Sequence, residues 1–215
     1  MGYVIRLFLL LGFFATAPAY TSAQPANRPF EDLGYLNRAD SVLLVRINLA
    51  QPSLATAVLE GADAASYPIF YGIPAASLGA SLAGLDGASW ESTAQIAATF
   101  LIAAGGALTL KKVFGRPRPY TRYSAIVPRT DVAIVGLGRE DHDAFPSGHA
   151  TMAFALATTL ARQTDAPALG ALAYGWAGTT AVARLRMGVH YPSDIAAGAV
   201  LGTVIGFVVT EIVDI

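Results

Sequence analysis

Cysteine is absent from all 215 residues, which excludes disulfides, thiolate nucleophiles and cysteine metal sites while fitting any compartment. Charge is also scarce. Asp, Glu, Lys and Arg make up 13% of the chain, about half the share usual in soluble domains. Apolar residues reach 54%, so disorder is excluded and a membrane setting is indicated. No repeat or low-complexity tract interrupts the chain, and its length suits a single domain with a substantial core. No long basic face with interleaved aromatic residues is present, so nucleic acid is not an expected partner.

What charge there is lies unevenly. Of the 14 Lys and Arg residues, seven fall between Lys111 and Arg139, and Arg184 and Arg186 add two more. A local cationic site in a nearly neutral chain suits an anionic ligand. At the N-terminus Arg6 precedes LFLLLGFFATA, with small residues following at Ala17-Pro18-Ala19 and Thr21-Ser22-Ala23. A positive start, a short apolar run and a small-x-small site predict a secretory signal over residues 1–23, or an uncleaved anchor. Either outcome sends residue 24 onward out of the cytoplasm.

Residues 24–37 are polar, contain two prolines and predict an exposed arm. Residues 38–215 then form one domain. A helical pattern runs from Arg38 to Glu60, with Val42, Leu43, Val45 and Leu49 as its apolar face, which predicts an interfacial or packed helix. Three segments, 64–85, 94–110 and 195–213, have the composition of membrane spans. Two more, 150–160 and 168–182, are apolar but short and rich in Ala and Gly, which favours close helix packing. The predicted fold class is all-α: a membrane-spanning bundle of about six helices with its active site at one end.

Three polar islands interrupt these helices. In the first, Lys111-Lys112-Val113-Phe114-Gly115-Arg116-Pro117-Arg118-Pro119, the glycine and prolines stop a helix. Taken alone it reads as a basic C-terminal cap favoured by the helix dipole. In the second, Pro146-Ser147-Gly148-His149, Ser147 is placed to cap a helix, and the first-turn N–H groups make an anion site. The third ends in Val189-His190-Tyr191-Pro192-Ser193-Asp194, with Pro192 at a first helical position. A carboxylate at Asp194 can take an imidazole N–H of His190, fix its tautomer and free the other nitrogen for attack. Each island also has a plain structural reading, as a cap or a helix start. Together, two histidines, a carboxylate, several cations and a helix N-terminus can attack, protonate and hold a phosphoryl group. His142, among Arg139, Glu140, Asp141 and Asp143, reads as a solvated loop residue.

With these motifs the chain resembles the type 2 phosphatidic acid phosphatase superfamily, which includes bacterial non-specific acid phosphatases and vanadium haloperoxidases. The first family motif, a Lys followed after six residues by Arg-Pro, matches Lys111, Arg118 and Pro119. Pro-Ser-Gly-His is complete at residues 146–149. The third motif matches Arg184, His190 and Asp194, with Ala183 where the family has a leading Ser. The resemblance implies that His190 is a nucleophile forming a phosphohistidine, Asp194 its orienting group, and His149 the general acid. It further implies that Lys111, Arg118, Ser147, Gly148 and Arg184 hold the phosphate oxygens. No metal or other cofactor is expected, because the cations and helix N-terminus supply the charge stabilisation.

The implied activity is hydrolysis of lipid phosphates or polyprenyl pyrophosphates, with a phosphorylated lipid and the membrane as partners. The alternatives are a soluble secreted acid phosphatase with the same site, and a non-catalytic phospholipid-binding or transport component. Five crossings would put all three motifs on one side. The signal reading makes that side the outer face of the bacterial inner membrane, whereas a positive-inside count points to the cytoplasm. The signal reading is preferred, because the basic residues have a catalytic reason to be where they are. An outward, periplasm-facing site is therefore expected.

Overall fold

The structure is a computed structural model that describes residues 35–129 and 142–213. The signal or anchor at 1–23, most of the arm at 24–37 and the basic residue Arg139 lie outside the described residues. Six helices of substantial length run in order: α1 (Tyr35–Asn48), α2 (Leu54–Leu82), α3 (Trp90–Phe114), then α5 (Gly148–Arg162), α6 (Pro167–Arg186) and α7 (Pro192–Ile212). A single turn, α4 (Pro119–Arg122), sits between α3 and α5. No strand is present among the described residues, and the expected all-α class holds.

The local sequence explains the boundaries. Ser53 caps α2 by accepting the Thr56 N–H, and Ser89 caps α3 by accepting the Ser92 N–H. Gly115, at φ 53°, takes the left-handed conformation that closes α3, and its N–H returns to the Lys111 carbonyl. Pro167 and Pro192 open α6 and α7, where a missing N–H costs no intrahelical bond.

One expectation at the N-terminal side needs correction. The continuous pattern from Arg38 to Glu60 is broken between Asn48 and Leu54, where Pro52 and the Ser53 cap start a new helix. The buried face of α1 is Ser41, Leu44 and Asn48, while Val42, Leu43 and Leu49 are exposed. This face is partly polar because it meets backbone: Asn48 donates to the carbonyls of Val127 and Arg186 and accepts the Val127 N–H. Of the two expectations for this helix, interfacial or packed, the exposed apolar residues Val42, Leu43 and Leu49 suit the interfacial one, while packing runs through Ser41, Leu44 and Asn48.

Helix α5 is central, packed against α7, α6 and α3. Its approach to α7 is set by small residues. A Cβ on Gly198 would lie 2.6 Å from the Ser147 carbonyl oxygen, one on Gly206 would lie 2.5 Å from that of Ala155, and one on Gly202 would be closer still to Thr151. Only glycine at these positions lets the two backbones meet. Phe70, Ile96, Leu156 and Ala177 fill the core between α2, α3, α5 and α6.

Outside, large apolar side chains face away from the bundle, including Leu101 at 66%, Leu172 at 69% and Val200 at 65% exposure. Water does not favour such a surface; lipid does. Two stretches, Trp90–Arg122, which holds α3 and α4, and Pro192–Ile212, which is α7, are long and apolar enough to cross a membrane. The third expected span, 64–85, is not among them, since Ser, Tyr, Pro and Gly dilute its apolarity.

Candidate active site

All three motifs converge at one end of the bundle, where α3 and α6 finish and α5 and α7 begin. The contacts between them are specific. The Lys111 side chain runs against the start of α5, with its Cε 3.6 Å from where a Cβ on Gly148 would be. Its ammonium donates to the backbone oxygen of Asp143. Arg118 donates to the Val189 carbonyl at 3.4 Å, joining the first motif to the third. The Ser147 N–H donates to the Asp194 carbonyl at 3.0 Å, joining the second to the third. The glycine contacts between α5 and α7 make this last bond possible.

His190 sits in the turn between α6 and α7 and is 2% exposed. Its Nδ1 lies 2.7 Å from the Ala144 carbonyl oxygen and 3.6 Å from Asp194 Oδ2. A carbonyl only accepts, so Nδ1 carries the proton and Nε2 keeps its lone pair. The expected acceptor was the Asp194 carboxylate. That carboxylate instead accepts the Tyr191 N–H at 2.8 Å and the Arg116 guanidinium, and stands beside the imidazole as a counter-charge. The reason is local: three residues before Asp194, the open first turn of α7 presents an N–H within reach. Burial, reinforced by the charges of Lys111, Arg118 and Arg184 and by His149, holds the His190 pKa well below its ordinary value.

His149, the second residue of α5, is 8% exposed. Its ring meets Tyr67 and Phe70 edge-on, at centroid distances of 5.0 and 5.6 Å. Lys111, Arg118 and Arg184 lie within electrostatic reach of it. Arg184, on the last turns of α6, is 6% exposed and pairs through Nη1 with Asp63 of α2. His149 Nε2 and Arg184 Nε are both buried without a hydrogen-bond partner among the described residues. Buried polar atoms are rarely left so. Ser147 is fully buried, with its Oγ 3.4 Å from the Ala150 N–H as the cap of α5. The departure at Ala183 places a fully buried methyl there.

Some sequence candidates fall elsewhere. His142 and Lys112 are exposed, as expected for His142. Arg186 is buried, but it bonds Glu60 and the carbonyls of Asn48 and Ala50 and so holds α1 and α2 to α6. Residues that sequence reasoning passed over also line the site: Ala144 through its carbonyl, Asp63 through Arg184, and Asp40 through Arg116, a cation of the first polar island outside the matched motif that pairs with Asp194. Asp63 had one signal, as the last charge before the apolar stretch 64–85. Among the described residues no three His, Cys, Asp or Glu side chains group as a metal-ligand set.

A family model described as the PAP2 superfamily matches residues 93–214, the segment that holds every motif residue. The decaprenylphosphoryl-5-phosphoribose phosphatase of Mycolicibacterium smegmatis is 32% identical over 161 residues, 75% of this chain and 82% of that protein. The lipid A 4'-phosphatase of Bacteroides thetaiotaomicron is 35% identical over 94 residues, 43% of this chain and 40% of that protein. The crystal structure of Aquifex aeolicus LpxE is similar at a TM-score of 0.61 and 23% identity, over 84% of this chain and 98% of that one. The transmembrane PAP2-type phosphatidylglycerolphosphate phosphatase of Bacillus subtilis is similar at 0.56 and 19%, over 98% of this chain and 96% of that one. At these identities the two structures speak for the fold alone, a helical bundle with the same course. With its motifs inside the matched segment, the chain belongs to the PAP2 superfamily.

Proposed function

We propose that this protein is a membrane-embedded phosphatase that hydrolyses the phosphate esters of lipids or polyprenyl carriers through a phosphohistidine on His190. The observation that carries the reading is the His190 Nδ1 bond to the Ala144 carbonyl, which leaves Nε2 as a lone-pair nucleophile among three cations. The curated relatives are named for activity on phosphorylated lipids, which supports the substrate class. The exposed apolar side chains of the bundle favour a membrane enzyme over a soluble one.

In the first step Nε2 attacks phosphorus, an N–P bond forms, and the bond to the lipid oxygen breaks. His149 gives that oxygen its proton. The imidazole acquires the proton together with the substrate, because a bound phosphate brings negative charge beside a ring otherwise surrounded by cations. Positive charge that develops on His190 is balanced by Asp194, 3.6 Å from Nδ1. In the second step His149, now neutral, takes a proton from water, whose oxygen attacks phosphorus. The N–P bond breaks and phosphate leaves.

Lys111, Arg118, Arg184 and the Ser147-Gly148 helix start hold the phosphate oxygens. The unpartnered Arg184 Nε–H supports that role, because a phosphate oxygen is the acceptor that it lacks. The site itself provides the charge stabilisation, so turnover is expected to need no added metal. The outward orientation rests on the N-terminal signal pattern. A reporter fused after Ile215 that is active only on the outer side would contradict the five-crossing arrangement.

The test of function is phosphate release by purified protein from phosphatidic acid, phosphatidylglycerol phosphate, undecaprenyl pyrophosphate and lipid A. Release from at least one of them, lost in His190→Ala, is the expected result. Binding without release from any would favour a non-catalytic role.

A further inference from the structure

We infer that Asp40, on α1, is a positioning residue of this active site, holding the carboxylate beside the nucleophile through Arg116 and Ser193. The inference rests on the reading of His190 as nucleophile. It concerns a helix outside residues 93–214, the segment that the family model matches.

Asp40 reaches the site by three bonds. Its Oδ1 accepts the Ser193 N–H at 2.8 Å, in the open first turn of α7. Its Oδ2 accepts the Ser193 hydroxyl, and Arg116 Nη2 at 3.1 Å. The other arm of the same guanidinium, Nη1, donates to Ser193 Oγ at 2.7 Å and to Asp194 Oδ1. One half-buried arginine therefore sits between two carboxylates, its guanidinium carbon 4.1 Å from the centroid of the Tyr191 ring.

Arg116 also reaches His190 from the other side. Its backbone carbonyl accepts the Ala144 N–H at 3.0 Å, and the Ala144 carbonyl is the acceptor of His190 Nδ1–H. Both groups that flank the imidazole are thus tied to Arg116. Asp40 opposes the pull of Asp194 on that guanidinium and fixes the turn that carries Tyr191 and Asp194. Bonds of this kind to ionised groups are short and directional, and breaking one partner out of a buried set leaves the others mispaired. Asp40 touches no reacting atom, so it acts only by position. A misplacement of about 1 Å at a nucleophile can cost about 100-fold in rate.

The test uses the full-length protein in detergent micelles, with p-nitrophenyl phosphate and dioctanoyl phosphatidic acid as substrates. Asp40→Asn keeps the shape and removes the charge. It should lower kcat by about 10- to 100-fold with KM nearly unchanged. The loss should be equal on both substrates, because protonation of the leaving group is untouched. Arg116→Ala should lose a similar amount, and the double variant should be no worse than the poorer single one. Ser193→Ala, which removes only the hydroxyl, should show the same kcat-only pattern at smaller amplitude, and serves if Asp40→Asn does not fold. As a control, Glu211→Gln, which breaks the Arg162 pair outside the site, should leave kcat unchanged.

Wild-type kcat in Asp40→Asn, or in Ser193→Ala where that variant stands in, would overturn the inference. So would losses that multiply in the double variant, or a change confined to KM. If His190→Ala keeps turnover, the functional reading fails and takes this inference with it. If His190→Ala is dead and Asp40→Asn fully active, only the inference fails.

Discussion

The Nδ1 nitrogen of His190 lies 2.7 Å from the carbonyl oxygen of Ala144, and this one contact decides which imidazole nitrogen is available for chemistry. Because the acceptor is a neutral carbonyl, the tautomer is fixed without placing a full charge on the ring's own bond. The Asp194 carboxylate, held by Arg116 and the Tyr191 N–H at 3.6 Å from Nδ1, stands where it can answer the positive charge that arises when Nε2 bonds to phosphorus.

Loss of the general acid should depend on what is leaving. His149→Ala is expected to cut kcat on an alkyl lipid phosphate by about 100-fold or more. On an aryl phosphate, whose leaving oxygen needs little protonation, the loss should be much smaller. Paired kcat measurements on the two substrates check this, and equal losses would contradict the role.

The pH dependence of stability follows from burial of His190. Its pKa in the folded chain is well below the ordinary 6.5, whereas the unfolded chain titrates near that value. Between the two, the unfolded state binds the extra proton, so stability falls as pH falls below about 6.5, by at most about 1.4 kcal/mol per pH unit. The loss levels off once the folded chain is protonated too. His190→Asn removes this contribution. Wild type should therefore lose more in Tm than His190→Asn between about pH 7.5 and about pH 5. Equal losses would show that His190 is not held neutral by the fold.

The α5–α7 contact sets the geometry of the whole site, so it should be sensitive to a single methyl group. Gly202→Ala must push α7 away from the Thr151 backbone, at a cost of about 1–3 kcal/mol. Activity should fall with stability, since Ser147 and Asp194 meet across the same interface. Gly175→Ala, on an open face of α6, should be neutral or slightly stabilising. Thermal unfolding of both variants in detergent gives the comparison, and a Gly202→Ala as stable as wild type would contradict the packing argument.

Much of the site was legible because its residues sit where helices end, and helix ends have local signatures. Gly115, Pro119, Ser147 and Pro192 mark those ends by their own conformational and capping preferences, and the motif side chains fall beside them. The residues that steer His190 were less legible for physical reasons. Any residue offers a carbonyl, so nothing about alanine marks position 144. Asp40 and Asp63 depend on how α1 and α2 lie against the motif helices, which is a tertiary matter. On α1 the buried face includes Ser41 and Asn48, so an apolar pattern picked Val42 and Leu43 instead. The break at residues 49–53 was signalled by Pro52 and Ser53, but the continuing apolar residues on either side masked it.

The central claim is that phosphate passes through a covalent bond to His190, and trapping that bond tests it most directly. Protein mixed with a phosphatidic acid carrying labelled phosphate, then quenched in alkali, should hold label on the peptide that contains His190. Mild acid should release the label, as expected of an N–P bond, and His190→Ala should carry none. Label that survives acid, label on another residue, or normal turnover in His190→Ala would contradict the account.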